Sequence, residues 1–243
     1  MGFKQLYQPT SQPMRVAGFM SGSGSNIRKI IEASKREHGL YEVVVLFSDR
    51  AGSKANAIGK DFDIPVITRD IEGFYAARGK QLRDMTVRRE FDWMTQEALA
   101  PHVVNVIAYG GYMSIVTSLL LRTYLGINVH PADLSVVDGN GRRRYTGDKA
   151  VAKALQAGER FIRATTHILE EKVDYGKVLM VSAPLEVRAG ESADDAQSRL
   201  KEAGDWVIFP QTLRYLADGR FARDDEGKIH FDGEPIPNGV RLE

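Results

Sequence analysis

An amide and an imidazole stand two residues apart at Asn128 and His130, and Pro131 closes the run. On an extended strand, residues i and i+2 face the same side, so both groups project together where the strand stops. A carboxamide N–H can donate to an oxygen that is gathering negative charge, and an imidazole exchanges protons near neutral pH. Side by side they suit acyl transfer. An edge-strand amide beside a histidine satisfied by its own backbone would look the same, so the pair needs support from the rest of the chain.

The elements that would position the pair alternate along the first half. An apolar strand pattern at 15–20 runs into Ser21-Gly22-Ser23-Gly24-Ser25-Asn26 and then a helical pattern with Ile27, Ile30 and Ile31 on one face. A glycine-rich turn between strand and helix gathers backbone N–H groups at the positive end of the helix, which suits an anion. A tight turn with Ser25 or Asn26 as the N-cap is the equal alternative. No Gly-Lys-Ser/Thr follows, and Ile27 occupies the third glycine position of a dinucleotide fingerprint. Strands are expected at 41–47, 64–67 and 103–108, and helices at 53–62, 79–100 and 113–121. In the long helix Leu82, Met85, Phe91, Met94 and Leu99 form the buried stripe, and Arg83, Asp84, Arg88, Arg89 and Asp92 the solvated face. Strand-helix alternation up to Pro131 predicts an α/β fold with a mostly parallel, doubly wound, Rossmann-like sheet and flanking helices.

Beyond Pro131 the pattern changes. Residues 133–145 are polar and turn-rich and read as an exposed loop, with Arg142, Arg143 and Arg144 simply solvated. A short helix at 148–157 precedes two strands, 164–169 and 178–187, the antiparallel additions of the C-terminal half. The acidic loop between them holds Glu170, Glu171 and Asp174, and one of its carboxylates could reach the Asn128/His130 pair. A helix at 192–217, broken at Pro210, and a hairpin at 228–236 turning at Asp232-Gly233 complete the chain. The first 13 residues read as a flexible leader, followed by one domain over 14–243 whose halves meet near residue 110. His38, His102 and His230 have no spacing partner and read as surface residues. His167 reads equally as a packed side chain or as support to the site.

Composition narrows the class. With 43% hydrophobic residues the 243-residue chain can bury a sizeable core. Its 33 basic and 32 acidic residues leave a net charge of +1, without the basic excess of a nucleic-acid binder. There are no cysteines, so thiolate nucleophiles, disulfides and cysteine metal sites are excluded, and a reducing cytoplasm is the expected compartment. No apolar run approaches the length of a membrane span.

With the SGSGSN turn at 21–26, Asn128-Val129-His130-Pro131, Thr165-Thr166-His167 and Asp174-Tyr175-Gly176 in this order, the chain resembles the folate-dependent formyltransferases. Within them it is most similar to the branch acting on glycinamide ribonucleotide. Ala189-Gly190-Glu191-Ser192 and Ile208-Phe209-Pro210 extend the likeness, which covers roughly residues 14–236. The resemblance implies attack of the substrate amine on the formyl carbon of 10-formyltetrahydrofolate, with no metal. It implies Asn128 as donor to the formyl oxygen, His130 as its helper and acid/base, and Asp174 as the group that orients His130 and relays the proton. It also implies substrate phosphate and ribonucleotide binding at Gly22, Ser23, Gly24, Ser25, Asn26 and Lys201, with Asp205 at the glycinamide end. Folate is expected against Met113, Ser114, Ile115, Val116, Glu170 and Glu171. The implied partners are small molecules only, with neither nucleic acid nor membrane, for a monomer or homodimer. The chain departs from the family at Ser114, where an arginine is usual, in the long arginine-rich 133–145 segment, and at Tyr175 and Lys177. Arg142, Arg143 or Arg144 could compensate at the folate tail or the phosphate. The alternatives are a related formyltransferase with another amine acceptor, such as an amino sugar nucleotide, and a non-catalytic nucleotide- or folate-binding relative. A methionyl-tRNA acceptor is disfavoured, because that branch resembles this chain plus a further C-terminal domain.

Overall fold

The computed structural model describes residues 2–36 and 39–243, so His38 lies outside the described residues. After a short strand β1 (Phe3–Gln5), the chain alternates strand and helix as β2 (Met14–Met20), α1 (Ser25–Arg36), β3 (Tyr41–Ser48), α2 (Ala55–Phe62) and β4 (Val66–Thr68). It continues through α3 (Ile71–Ala76), α4 (Met85–Leu99), β5 (Val106–Tyr109), α5 (Ser118–Thr123) and β6 (Leu125–His130). Next come α6 (Ala150–Gln156), β7 (Phe161–Ile162), β8 (Thr165–Ile168), β9 (Val178–Val181), β10 (Leu185–Glu186) and α7 (Ala193–Leu200). A π-helical turn, Lys201–Asp205, leads into α8 (Trp206–Ala217), β11 (Phe221–Asp224), β12 (Ile229–Phe231), β13 (Glu234–Pro235) and β14 (Val240–Arg241).

The residues form two compact units, Gln12–Ile127 and Met1–Ser11 with Asn128–Glu243. The division between these units falls inside β6. In the Gln12–Ile127 unit the strands run parallel in the order β5-β2-β3-β4. β2 is buried almost throughout, as its unbroken apolar sequence requires of a strand covered on both faces. β5 starts three residues later than its apolar run, because Val103 sits in the left-handed region (φ 48°) after a turn at Ala100–His102.

Several local expectations change in this unit. The helix expected over 79–100 starts only at Met85, since Gly79 is left-handed (φ 63°) and Asp84 caps the N–H groups of Thr86 and Val87. Leu82 and Met85 are consequently exposed, while Phe91 and Leu99 are buried. Arg88 and Asp92, assigned to the solvated face, are fully buried and paired at 2.7 Å. Arg88 also donates to the Tyr112 hydroxyl, and Asp92 accepts from the N–H and hydroxyl of Thr117 at 2.7 and 2.8 Å. This pair fixes both ends of the 112–117 segment, which explains why the helix expected from 113 begins only at Ser118.

In the other unit, β8 and β9 are antiparallel, β14 is parallel to β9, and β6 lies beside β8. The helix expected to break at Pro210 is continuous there. The irregularity is the π-helical turn one helical turn earlier, where Gly204 lies against Ala164 and Ser182 without room for a Cβ. α8 packs on β8 and β9, and the Thr166 and Thr212 hydroxyls meet at 2.7 Å. The expected leader is partly a strand: β1 adds to the free edge of β11, with the Phe3 ring edge-on to His230. His230 is buried and bonded to Asp224 at 2.9 Å, while His102 is partly exposed. The hairpin turns at Asp232 and Gly233, both left-handed, as a two-residue turn requires. No helix among the described residues is long and apolar enough to cross a membrane.

The Arg88–Asp92 pair generates a stability prediction. Asp92→Asn leaves a buried guanidinium without its counter-charge and costs about 3–5 kcal/mol. The exposed Asp61→Asn, which touches only the Arg28 surface pair, stays within about 1 kcal/mol of wild type. Urea denaturation of the three proteins at pH 7 measures both.

Candidate active site

β6 delivers Asn128 and His130 to one side at its end, and Pro131 stops it there. Thr165 at the start of β8 pins the following turn: its hydroxyl donates to the Ala132 carbonyl at 2.7 Å and accepts from the Leu134 N–H at 3.2 Å. Two residues along β8, His167 faces the same way. A bulge lies between Thr166 and His167, where β9 carries Leu179 as an extra residue. Bulges of this kind bend a strand and re-aim its side chains.

Asp174 comes from the loop between β8 and β9 and has a left-handed backbone (φ 59°). Its Oδ2 lies 3.5 Å from His130 Nδ1 and accepts the Gly147 N–H at 2.7 Å, while Oδ1 lies 3.6 Å from His167 Nε2. His130 donates from Nε2 to the Tyr145 carbonyl at 2.7 Å, because a carbonyl can only accept. His167 likewise donates from Nδ1 to its neighbour's carbonyl, that of Ile168, at 2.9 Å. Its Nε2 therefore accepts from the Asn128 amide at 3.0 Å. This leaves Asn128 a second N–H beyond the one given to His167. Asn128, His130 and Asp174 thus converge, and His167 joins them as a fourth member that ties the amide to the carboxylate.

Burial sets the electrostatics. It lowers His130 below the ordinary 6.5 although Asp174 and the Tyr145 carbonyl pull the other way, so the ring is neutral at pH 7. For Asp174 burial pushes upward but is outweighed by its polar surroundings, among them the Gly147 N–H given to Oδ2, and the carboxyl is held at about 2. The result is a permanently ionised carboxylate facing the open lone pair of a neutral imidazole. A proton taken up at His130 Nδ1 lands between the two.

Elsewhere in the same unit, Lys201 and Asp205 sit on the π-helical turn, with Asp205 buried and Lys201 half-buried. Single π turns often mark functional positions. Glu170 and Glu171 are exposed at the start of the Asp174 loop. Arg143, expected to be solvated, bridges the carbonyls of Asp174 and Gly176, and Arg144 lies 3.6 Å from Glu159. Arg142 is exposed. Among the described residues, no group of three His, Asp or Glu side chains is gathered to hold a metal.

In the Gln12–Ile127 unit, Gly22 and Ser23 are exposed just ahead of α1, and Gly24 is left-handed (φ 64°) with Met20 and Ile58 where a Cβ would go. α1 begins at Ser25, so neither Ser25 nor Asn26 is the residue that precedes it. The Ser21 hydroxyl accepts the Met113 N–H at 2.8 Å, joining this turn to the 113–116 segment. There Met113 and Ile115 are exposed, and the Ser114 hydroxyl is given to buried Asp49.

A donor amide, a neutral imidazole and an ionised carboxylate gathered at a strand end, in a mixed α/β fold, define a class of group-transfer enzyme in which charge grows on a carbonyl oxygen as a proton leaves the nucleophile. The chain belongs to the formyl transferase family, which it matches over residues 14–213. It is 23% identical over 227 residues to the phosphoribosylglycinamide formyltransferase of Haemophilus influenzae, covering 92% of this chain and 96% of that one. It is also 27% identical over 218 residues to the trifunctional purine biosynthetic protein adenosine-3 of Gallus gallus, covering 89% of this chain. The chain spans only 14–20% of the length of such trifunctional relatives. The structure of phosphoribosylglycinamide formyltransferase from Coxiella burnetii superposes with a TM-score of 0.79 at 22% identity, covering 96% of this chain and all (100%) of that one.

The lowered His130 carries a pH signature. Between its folded value and 6.5 the unfolded chain binds the extra proton, so stability falls as pH falls through that window. His130→Gln removes this contribution. Thermal unfolding at pH 7 and pH 5.5 should show a smaller acid loss in the variant than in wild type.

Proposed function

We propose that this chain transfers the formyl group of 10-formyltetrahydrofolate to the amine of glycinamide ribonucleotide. The observation that carries the reading is the convergence of Asn128, His130 and Asp174 through distances of 3.0–3.6 Å, with His167 at their centre. The unused Asn128 N–H donates to the formyl oxygen as negative charge grows there. His130 cannot share that role while its Nε2–H is given to Tyr145, so its task is the proton. As the amine adds to the formyl carbon its proton passes, directly or through one water, to the Asp174/His130 pair, which returns it to folate N10 as the carbon–N10 bond breaks and tetrahydrofolate leaves.

Within the Gln12–Ile127 unit the substrate phosphate is assigned to the turn at Gly22, Ser23, Gly24, Ser25 and Asn26, where N–H groups precede a 12-residue helix; in the other unit Lys201 is assigned to ribonucleotide binding. Asp205 is assigned to the glycinamide end. Folate contacts are assigned in the Gln12–Ile127 unit to the exposed edge of Met113 and Ile115 with Ser114 and Val116, and in the other unit to Glu170 and Glu171; when bound, the folate supplies the formyl group. Ser114, turned to Asp49, offers no charge to an acidic tail. The partners are small molecules, no step is assigned to a metal, and the working compartment is the cytoplasm.

Absorbance-monitored release of tetrahydrofolate tests the reading, with glycinamide ribonucleotide set against a panel of other amines, amino sugar nucleotides among them. The ribonucleotide should turn over with the highest kcat/KM, and Asn128→Ala should lower kcat about 10²–10³-fold with substrate binding retained. Faster turnover of another amine would overturn the acceptor, and no turnover of any amine would overturn the reaction.

A further inference from the structure

The 143–147 segment serves the site through alternate residues. Arg143 donates from Nη1 to the Asp174 carbonyl at 2.5 Å and from Nη2 to the Gly176 carbonyl at 2.9 Å. Two residues on, the Tyr145 carbonyl accepts the His130 Nε2–H, and two further, the Gly147 N–H donates to the Asp174 carboxylate. The side chain of Arg143 also lies over the Tyr175 ring at 5.7 Å. Its approach is built by a small hairpin: Val137 pairs with Arg143, and the exposed Asp138 carboxylate accepts the N–H groups of Asn140 and Arg142, both at 2.9 Å.

Resting on the formyl-transfer reading, we propose that Arg143 is the positioning residue for Asp174: its fork grips the carbonyls on either side of Tyr175 and thereby aims the carboxylate at His130 and His167. The fork matters more than the charge. Asp174 holds a left-handed backbone that a non-glycine residue adopts only at a cost, and the two carbonyls must turn to the same donor group for the loop to keep it. A guanidinium presents parallel N–H donors that span two acceptors at once. An ammonium concentrates its donors at one point. A solvated arginine would leave the 174–176 carbonyls to water and the aim of the carboxylate to chance.

Arg143→Lys separates fork from charge. In the proposal kcat falls, on the order of 10²-fold for a displacement near 1 Å, while KM for both substrates stays within twofold. The His130 imidazole, followed by ¹H–¹⁵N NMR without substrate, titrates lower than in wild type, because the carboxylate that favours its protonated form has moved away. Arg143→Met should lower kcat at least as far, whereas Lys60→Ala, an exposed position on α2, should match wild type in both readouts. If Arg143→Met does not fold, Asp138→Ala serves as the second variant: it loosens the delivering turn from an exposed position and should move both readouts in the Lys direction. Wild-type kcat and wild-type His130 titration in Arg143→Lys would overturn the proposal. The NMR titration needs no turnover, so a wild-type protein that transfers no formyl group would sink the proposed function and leave this test standing.

Discussion

One buried, ionised carboxylate organises the candidate site of this chain. Taking a carboxylate out of water is costly unless hydrogen bonds and opposite charge replace the solvent, and otherwise the group takes a proton and stays neutral. Asp174 stays ionised because the Gly147 N–H donates to it directly and its polar surroundings outweigh the burial. The same burial that strengthens those contacts strips His130 of its charge at neutral pH. Both groups are thus free of a proton at neutral pH, the carboxylate charged and the imidazole not.

Two strands and one bent segment meet that demand through alternate residues, a period of two. Asn128 and His130 alternate on β6, Thr165 and His167 on β8, and residues 143, 145 and 147 on the returning arm. β6 presents both of its members to the site, whereas β8 presents His167 and uses Thr165 as a fastening. Thr165 locks the turn beyond Pro131, and the Tyr145 carbonyl fixes which nitrogen of His130 bears the hydrogen. The missing side chain of Gly176 belongs to the same scheme. A Cβ there would fall 1.7 Å from the Ile168 carbonyl, the group that receives the His167 Nδ1–H and so turns Nε2 toward Asn128.

What could be read from sequence followed that period and its helical counterpart. Asn128 and His130, the glycine turn before α1 and the hairpin at Asp232-Gly233 rest on local spacing, whereas Asp174 is picked out from three loop carboxylates only by the family resemblance. The misreadings share a different physics. Arg88 and Asp92 look like a solvated i, i+4 pair until Tyr112 and Thr117, 20 or more residues away, bury them. Arg143 grips backbone carbonyls, and a carbonyl is present at every residue, so its partners have no signature in sequence. β1 forms because β11 has a free edge, which no property of residues 3–5 announces. His167 was open to inspection as part of a Thr-x-His alternation. Its importance depends on the bulge and on an Asn amide 39 residues earlier.

The arm at 143–147 also changes how the site's energies combine. Its three contacts converge on one carboxylate and one imidazole, so they share partners rather than act separately. Contributions of groups joined in this way are not additive. Releasing the Asp174 carbonyl relaxes a left-handed backbone, which swings the carboxylate from the Gly147 N–H and from both rings together. Losing the Gly147 contact alone removes one of the groups holding the carboxyl low, but leaves the backbone aimed. The carbonyl grip therefore ranks above the direct contact to the carboxylate, although it never touches the group whose position it sets. A longer, arginine-bearing loop after the His-Pro turn is, in this chain, part of the frame that keeps a formyl-transferase constellation in place.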